Sequence, residues 1–347
     1  MVNIGVIGYG YWGPNLVRNF VEIQGLTVAC VADLDPKKLE SVQKRYPGIK
    51  TTTDFQEMIR DPGIDAIAIA TPVSTHFDLG MEALKAGKHL WLEKPMTETS
   101  KQAHLLVEEA EKRNLVLLVD HTFIYTGAVR KIEELMKNDG IGDIYYYDSI
   151  RINLGLFQRD VSVISDLAVH DFAILDYLLG KQPVEVSSVG TNHFPGTPQN
   201  LAYVSLFYDS GMIAHSNVNW LAPVKVRQIL IGGSKKMITY DDVEPSEKVK
   251  VYDKGISFTD DPEKIYQLRL GYRTGDMWAP KLDPTEALKV EAEHFVDCIE
   301  HKKVPKTDGL LGLRVVELIE AATRSMNDNG RSVKVHGTPM KHGKELT

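Results

Sequence analysis

The 347-residue chain carries 40 Lys and Arg residues against 47 Asp and Glu residues, a formal net charge of −7. This acidic balance argues against a general binder of nucleic acid or of anionic membranes, because such proteins neutralise phosphates with surplus Lys and Arg. Only two cysteines are present, and no segment has the ~20 apolar residues of a membrane span or the pattern of a signal peptide, so we expect a cytoplasmic chain of two domains without disulfides.

Apolar, strand-like runs alternate with helical segments over the first third of the chain. The runs are VNIGVIG, LTVACVADLD, IDAIAIAT, HLWLE and LVLLVD. Helix start signals lie between them: Asp35 precedes a proline-led helix, Asp54–Arg60 forms a short helix, and Thr99 or Ser100 caps another. Near-continuous apolar strands that alternate with helices indicate a parallel sheet covered on both faces. We therefore predict a doubly wound α/β domain over residues 1–122.

The pattern changes after that point. A helix over AVRKIEELMKN is followed by the strand IYYYDSIRIN and the helical stretch SDLAVHDFAILDYL. Further strand runs follow in PVEVSSVGTNH, LAYVSLFYD, GMIAHSNVNW and VRQILIGGSKKMITYDD, and helices over 284–301 and 309–327 end the pattern. We predict that residues 123–347 form an α+β domain with a large open, mostly antiparallel sheet.

The stretch GYGYWG gives Gly8, Gly10 and Gly13 a G-x-G-x-x-G spacing. Alone this motif is weak, but here it follows a strand, opens a helix, and precedes Asp33 at the end of the second strand. Gly8 would permit the tight turn, Gly10 the approach of a pyrophosphate, and Gly13 close packing of helix on strand. Unpaired N–H groups at the helix N-terminus would face the phosphates. The context predicts a dinucleotide-binding Rossmann domain.

Asp33 bears on the choice of dinucleotide. Its carboxylate would accept hydrogen bonds from the adenosine ribose hydroxyls and repel a 2′-phosphate, and Leu34 beside it supplies no compensating cation. The sequence therefore favours NAD over NADP, although Lys37 and Lys38 lie close by in the chain.

The helical stretch at residues 165–178 mixes apolar positions with ionisable ones. On a helix, Asp166 and His170 are four residues apart and lie on one face. They are either an incidental surface pair or an acid–base pair aimed at a substrate. Asp171 and Asp176 are interpreted as helix-face solvation or structural pairing.

Residues 93–95 read EKP directly after the strand HLWLE, at the carboxyl end of a parallel strand, where such sheets bind ligands. Upstream, ATPVSTH ends the preceding strand and opens its helix. With GYGYWG and DLAVH, these motifs make the chain resemble the Gfo/Idh/MocA family, the oxidoreductases related to glucose–fructose oxidoreductase and inositol dehydrogenase. The resemblance spans nearly the whole chain, and the ordered set of motifs is far more specific than any one of them.

The resemblance implies oxidoreduction of a pyranose or cyclitol by a Rossmann domain and a second domain that binds substrate and assembles the chain into a homodimer or homotetramer. It maps the family's catalytic residues onto Lys94, Asp166 and His170. His170 would act as general base, because imidazole titrates near neutral pH, while Lys94 would stabilise the alkoxide and Asp166 would orient the imidazole or a sugar hydroxyl. The predicted cofactor contacts are Gly8, Gly10, Tyr11, Trp12, Gly13, Asp33, Thr71, Pro72, His76, Glu93 and Lys94.

Three further segments bear on the substrate: RINLGLFQRD, NWLAPVKVRQ and GYRTGDMWAPKLDPTEAL. The last resembles a segment of the nucleotide-sugar subgroup, and Arg supplies a forked donor for a diphosphate. The predicted substrate contacts are Lys94, Arg151, Asn153, Asp166, His170, Trp220, Arg227 and Arg273, with Gln158, Tyr272 and Lys281 nearby. These charges are alternatively plain surface groups, and Trp220 a core residue.

The leading hypothesis is NAD-dependent oxidation of a sugar-ring hydroxyl, at C3 of a nucleotide-linked hexose. A dehydrogenase of a free cyclitol or monosaccharide is the second enzyme hypothesis, and a non-catalytic NAD-binding regulatory protein is the third. No metal site is predicted, because the histidines lack ligand spacing. The expected partners are a small-molecule substrate and further copies of the chain, with no nucleic acid and no membrane.

Overall fold

The computed structural model describes residues 1–138, 140–155, 161–258, 270–335 and 337. The chain divides into two compact units, each made of two segments. The first unit is Met1–Thr126 with Thr285–Glu320, and the second is Gly127–Pro284 with Ala321–Thr347. The chain thus returns to its first unit after most of the second.

The first unit contains a six-stranded parallel sheet. Its strands are β1 (Val2–Ile7), β2 (Leu26–Ala32), β3 (Lys50–Thr52), β4 (Ala66–Ile69), β5 (His89–Glu93) and β6 (Leu117–Asp120). They are ordered β3-β2-β1-β4-β5-β6, and every neighbouring pair is parallel. This is the doubly wound Rossmann arrangement, in which the strand order reverses beside β1, so the predicted fold of this region is confirmed.

Helices cover both faces of this sheet. They are α1 (Gly13–Phe20), α2 (Pro36–Arg45), α3 (Phe55–Arg60), α4 (His76–Lys85) and α5 (Ser100–Arg113). The predicted caps are present: the side chain of Asp35 accepts a hydrogen bond from the backbone of Lys37, and Thr99 forms a capping box with Gln102. These local signals start the helices where the sequence predicts them.

The second unit is built on a nine-stranded sheet of described residues, ordered β16-β13-β12-β11-β7-β10-β9-β8-β17. The pair β7–β10 is parallel and the other neighbouring pairs are antiparallel, as predicted. A separate two-stranded sheet pairs β14 with β15 in antiparallel orientation. The strands are β7 (Ile144–Leu154), β8 (Glu185–Thr191), β9 (Leu201–Phe207), β10 (Ile213–Asn219), β11 (Leu221–Gly233), β12 (Met237–Asp241), β13 (Val249–Tyr252), β14 (Gly255–Phe258), β15 (Leu270–Arg273), β16 (Met277–Trp278) and β17 (Val333–Lys334).

Two helices of this unit precede most of its strands, α6 (Gly127–Lys137) and α7 (Val169–Leu179). One π-helical turn over Ile164–Ala168 leads into α7. π-helical turns are rare, occur mostly as single turns, and are frequently found at functional sites. The structure therefore adds a wider turn at the start of the stretch that carries Asp166 and His170.

The last two helices correct the predicted domain boundary. The sequence assigned α8 (Ala287–His301) and α9 (Gly309–Asn327) to the second domain, but α8 and the first part of α9 belong to the first unit. On α8, Phe295 is fully buried and packs edge-on against Trp91 of β5, with ring centroids 5.5 Å apart. Local periodicity identifies an apolar helix face, but does not reveal which core that face joins.

Candidate active site

The glycine-rich turn has the geometry that its spacing predicts. Gly8 has φ +97°, and a Cβ on it would lie 2.6 Å from the carbonyl oxygen of Ala70. A Cβ on Gly13 would lie 2.2 Å from the carbonyl oxygen of Gly8, so α1 begins in close contact with the end of β1. A Cβ on Gly10 would meet nothing within 4 Å. Two glycines are thus needed for the turn itself, while the third leaves open space in front of the backbone.

That space belongs to a pocket of about 670 Å³ at the carboxyl end of the parallel sheet. The helix α1 has no side-chain cap at its N-terminus. Pro14 has no N–H and the N–H of Asn15 donates to the carbonyl oxygen of Trp12 at 2.8 Å, so the N–H of Gly13 is the group at the start of α1 that can face a phosphate. Most of the predicted cofactor contacts line the pocket, namely Gly8, Gly10, Tyr11, Trp12, Asp33, Thr71, Pro72, Glu93 and Lys94. The residues present therefore fit a dinucleotide, with the pyrophosphate at the turn and Lys94 at the edge of the same pocket.

Asp33 is held from three sides. The backbone N–H groups of Tyr9 and Asp35 donate to its two oxygens at 2.7 and 2.9 Å, and Lys38 Nζ lies 3.2 Å from Oδ2. Burial raises the pKa of Asp33, but these hydrogen bonds and the lysine outweigh burial and lower it. Asp33 is therefore an ionised hydrogen-bond acceptor directly after β2. Leu34 beside it carries no charge, and the cation next to Asp33 is the ammonium group of Lys38.

His76 does not line the pocket, contrary to the prediction that it contacts the cofactor. It is buried, with Nε2 2.9 Å from the carbonyl oxygen of Thr71 and Nδ1 3.1 Å from that of Pro95. The imidazole thus ties together the two loops that follow β4 and β5. Its contribution to the pocket is to hold Thr71 and the EKP segment in place.

Two acidic residues near Glu93 and Lys94, Asp120 and Glu291, were missed by the sequence analysis. Asp120 ends β6, and its Oδ2 accepts a hydrogen bond from Trp12 Nε1 at 3.1 Å. Glu93 and Glu291 of α8 are both buried near Asp120, and burial first and this nearby carboxylate second raise the pKa of each glutamate well above the usual value. The position of Asp120 at a strand end was a signal that was not used, whereas nothing in the sequence indicates that α8 packs there.

In the second unit, Asp166 lies in the π-helical turn and His170 in the first turn of α7, and both are half-buried. Trp220 Nε1 donates a hydrogen bond to Asp166 Oδ2 at 3.1 Å. Trp220 is fully buried, so the prediction that it contacts substrate is wrong. Its indole instead fixes the carboxylate of Asp166.

Arg151 is also corrected. It was predicted to face the substrate, but it and Asp171 are each 3% exposed and form a buried ion pair, with Nη2 2.8 Å from Oδ1. Arg151 Nε lies 3.2 Å from both oxygens of Asp171. The pair anchors the start of α7 to β7, and this agrees with the interpretation of Asp171 as a structural partner.

Arg273 lies too far along the sheet to bind a substrate at His170 of the same chain. The Arg273 side chain donates a hydrogen bond to the backbone oxygen of Lys235, and the backbone N–H of Lys235 donates to the oxygen of Ile141. Ile141 lies just before β7 begins, so Arg273 is near the first end of that strand. Trp220, which holds Asp166, accepts a hydrogen bond from Gly155, just after β7 ends. The 11 residues of β7 span roughly 35 Å at ~3.3 Å per residue.

Two predicted substrate contacts remain compatible with the structure. Asn153 is half-buried and lies on the same face of β7 as Arg151. Arg227 pairs in register with Arg151 and so shares that face, with Nη1 3.3 Å from Asp242. Lys281 is exposed, and Gln158 and the side chain of Tyr272 lie outside the described residues.

Two family models match the chain in sequence. "Oxidoreductase family, NAD-binding Rossmann fold" matches residues 2–121, and "Oxidoreductase family, C-terminal alpha/beta domain" matches residues 133–335. The chain belongs to the Gfo/Idh/MocA oxidoreductase family. The resemblance of its motifs and the prediction that it is an NAD(P)-dependent dehydrogenase are therefore confirmed.

Family members with named activities cover most of the chain. Scyllo-inositol 2-dehydrogenase (NAD(+)) of Bacillus subtilis (strain 168) is 26% identical over 96% of this chain and 95% of its own. UDP-N-acetylglucosamine 3-dehydrogenase of Acidithiobacillus ferrooxidans is 26% identical over 90% of this chain and 93% of its own. The solved structure of levoglucosan dehydrogenase in complex with NADH has a TM-score of 0.82 at 21% identity, covering 97% of this chain and 100% of that one. At that identity it shows the shared fold.

None of the helices among the described residues is long and apolar enough to cross a membrane. No group of three or more His, Cys, Asp or Glu side chains in the described part of the chain is arranged to hold a metal ion.

Proposed function

We propose that the chain is an NAD-dependent dehydrogenase that oxidises a ring hydroxyl of a sugar or cyclitol. The observation that carries the proposal is the first-unit pocket, which combines an open cradle at Gly10, an ionised Asp33 and Lys94 at its edge. The named activities of family relatives supply the substrate class, since they are cyclitol and sugar dehydrogenases.

NAD is proposed over NADP on the chemistry of Asp33. When bound, the nicotinamide ring would supply the hydride acceptor. Asp33 would accept hydrogen bonds from the ribose hydroxyls, and the turn and α1 would donate to the pyrophosphate. Lys38 is the residue that would favour NADP, because its ammonium is already within reach of any phosphate placed beside Asp33.

The protein side of the reaction is assigned to three residues. His170 takes the proton of the reacting hydroxyl, and the Lys94 ammonium stabilises the negative charge that develops on its oxygen. Asp166 accepts a neighbouring hydroxyl of the ring. Because the indole of Trp220 already donates to one oxygen of Asp166, that carboxylate is held in one orientation before substrate binds.

Among the substrate classes, the described residues favour a free cyclitol or monosaccharide. The hypothesis of a nucleotide-linked hexose requires cations that bind its diphosphate. Two of the predicted cations do not serve that purpose, because Arg151 is buried against Asp171 and Arg273 lies at the far end of β7. Arg227 is the predicted arginine that remains on the correct face, and it contacts Asp242. A ring with free hydroxyls needs carboxylate, amide and imidazole groups instead, which Asp166, Asn153 and His170 provide.

Oxidation at C3 of a nucleotide-linked hexose is the second candidate. It is supported by the UDP-N-acetylglucosamine 3-dehydrogenase relative, which matches 90% of this chain. In that case Arg227 would have to exchange Asp242 for a phosphate, and its replacement by Met would abolish activity with UDP-sugars.

The test is a substrate panel read by nicotinamide absorbance. Purified protein is mixed with NAD or NADP and with inositols, free hexoses, UDP-hexoses and their uronates. We expect NAD reduction with a free ring polyol. Reduction only with UDP-sugars would replace the first candidate by the second, and a protein that binds NAD tightly but reduces it with none of them would support a non-catalytic role.

We further expect a cytoplasmic homodimer or homotetramer. The face of the second-unit sheet carries exposed Val189, Tyr203 and Ile213 on three neighbouring strands. Apolar side chains side by side on an exposed sheet favour association. Sedimentation of the wild-type chain and of a Tyr203→Glu/Ile213→Lys variant would test it, with monomeric wild type as the contradicting result.

A further inference from the structure

The loop between β8 and β9, residues 192–200, is built into the backbone around Asp166. The carbonyl oxygen of Gln199 accepts the N–H of the residue before the π-helical turn at 2.9 Å. The carbonyl oxygen of Asn200 accepts the N–H of Trp220 at 3.0 Å, and the indole of Trp220 donates to Asp166. The end of this loop therefore holds both the turn that carries Asp166 and the side chain that orients it.

The register of the sheet places Asn200 on the face that packs against α7. Arg151 of β7 pairs with Val218 of β10, and Val218 pairs with Ala202 of β9. The row lies on the α7 face, because Arg151 forms its buried ion pair with that helix. Asn200 and Trp220 each lie two residues beyond this row, and side chains two residues apart on a strand share a face. Both therefore lie at the α7 side of the sheet end.

The buried amide of Asn200 holds an exposed imidazole. Asn200 is fully buried, and its Oδ1 lies 2.9 Å from Nδ1 of His193, which is exposed. An amide oxygen can only accept, so Nδ1 carries the hydrogen of this bond, and Nε2 of the neutral ring is an acceptor. Asn200 Nδ2 has no hydrogen-bond partner among the described residues, although buried donors are nearly always paired. A buried donor and an exposed acceptor thus lie together at this end of the sheet.

These groups lie within one strand spacing of the indole that fixes Asp166. Neighbouring strands are ~4.8 Å apart, and β10 lies between β7 and β9. Trp220 of β10 therefore has Asn153 of β7 on one side and Asn200 on the other. A substrate ring that binds Asp166 would have Asn153 at one edge and the pair of Asn200 and His193 at the opposite edge.

We propose that His193 is a specificity-determining residue that accepts a hydrogen bond from a hydroxyl of the substrate ring, and that Asn200 is the positioning residue that fixes its imidazole. The inference rests on the proposed oxidation of a ring polyol and adds a recognition group to it. A ring nitrogen without hydrogen suits a hydroxyl, but it repels a phosphate oxygen because both are acceptors. The pair therefore favours a free ring polyol over a diphosphate-linked sugar.

The first arm of the test is steady-state kinetics with the best ring polyol of the substrate panel. His193→Leu should raise KM about three- to tenfold, the effect of losing one hydrogen bond between neutral groups, and should leave kcat and NAD affinity unchanged. His193→Gln should recover most of the loss, because its amide oxygen still accepts. His104→Leu, which changes an exposed histidine of α5, is the matched control. An unchanged KM in His193→Leu would overturn the proposal.

The second arm uses monodeoxy analogues of the same polyol. For the analogue that lacks the hydroxyl bound by His193, the wild type and His193→Leu should have the same KM, because the contact is absent in both. The other analogues should keep the full difference between the two proteins. Equal differences for every analogue would overturn a direct contact between His193 and the substrate.

The third arm tests Asn200. Asn200→Leu should raise KM as His193→Leu does, and the double variant should be no worse than either single variant. Multiplying effects would overturn the positioning role. Nitrogen-15 NMR of the wild-type protein tests the same role without a buried substitution: the His193 signals, assigned by their loss in His193→Leu, should show hydrogen on Nδ1, and hydrogen on Nε2 alone would overturn it.

Failure of the proposed function gives a different result. A wild-type protein that reduces NAD with no ring polyol would refute that function itself. Turnover of a ring polyol with the same KM in wild type and His193→Leu would refute the inference about His193 alone.

Discussion

Breaking the buried ion pair between Arg151 and Asp171 should destabilise the second unit strongly. In Asp171→Leu, the guanidinium of Arg151 loses three hydrogen bonds of 2.8 to 3.2 Å at a site where both side chains are 3% exposed. Removing one partner of such a pair costs about 3–5 kcal/mol, because the other charge stays buried without compensation. For a unit of this size, that corresponds to a loss of roughly 6–20 °C in melting temperature.

The assay is thermal unfolding followed by near-ultraviolet circular dichroism, with Asp209→Asn in the exposed turn after β9 as the matched control. The double variant Arg151→Met/Asp171→Leu should recover part of the loss, since it removes both charges. A melting temperature for Asp171→Leu within about 2 °C of the control would refute the assignment. Arg151 would then regain its predicted place among the substrate contacts.

Three further outcomes are expected. Gly13→Ala should lower both the melting temperature and the NAD affinity, because its Cβ would lie 2.2 Å from the carbonyl oxygen of Gly8. Gly10→Ala should lower the NAD affinity alone, because its Cβ would meet nothing within 4 Å of the protein. Thermal melts and titration calorimetry separate the two effects. Asp33→Ser should weaken NAD binding about tenfold and raise relative use of NADP, because Lys38 loses its carboxylate; unchanged preference would contradict this. Burial lowers the pKa of His121 to about 4 from an ordinary value of 6.5. Between these two pH values the unfolded chain is protonated at His121 and the folded chain is not, so the free energy of unfolding decreases as the pH falls from 6.5 to 4. Urea unfolding of His121→Phe should therefore show less acid destabilisation than wild type between pH 6.5 and 4, by on the order of 3 kcal/mol, and parallel curves would contradict the assignment.

Local patterns predicted the first unit well. The alternation of apolar strands with helices, together with caps such as Asp35 and Thr99, is determined by neighbours within a few residues, and the structure reproduces both. The glycine-rich turn is equally local, because Gly8 and Gly13 each avoid a clash with the backbone of the same turn or of the adjacent strand end. These features follow from periodicity and backbone sterics alone.

The errors all concern long-range contacts. An arginine on a strand looks the same in the sequence whether it contacts substrate or a buried carboxylate. Arg151 was predicted to contact substrate, but its partner is the buried carboxylate of Asp171. Likewise, no sequence feature near Glu291 indicates that α8 packs close to Asp120. Arg273 lies in a segment that resembles the nucleotide-sugar subgroup, yet the structure places it at the far end of β7. Such pairings depend on which surfaces the folded chain brings together, and a sequence pattern carries no record of them.

The central claim is that Lys94 and His170 serve the chemistry while the glycine-rich turn serves the cofactor. Single-turnover hydride transfer tests it most directly, with NAD, the best polyol of the panel, and the wild-type, Lys94→Met and His170→Asn proteins. We expect both variants to bind NAD with affinity within about threefold of wild type and to transfer hydride at least about a hundredfold more slowly. Hydride transfer at the wild-type rate in either variant would contradict the account.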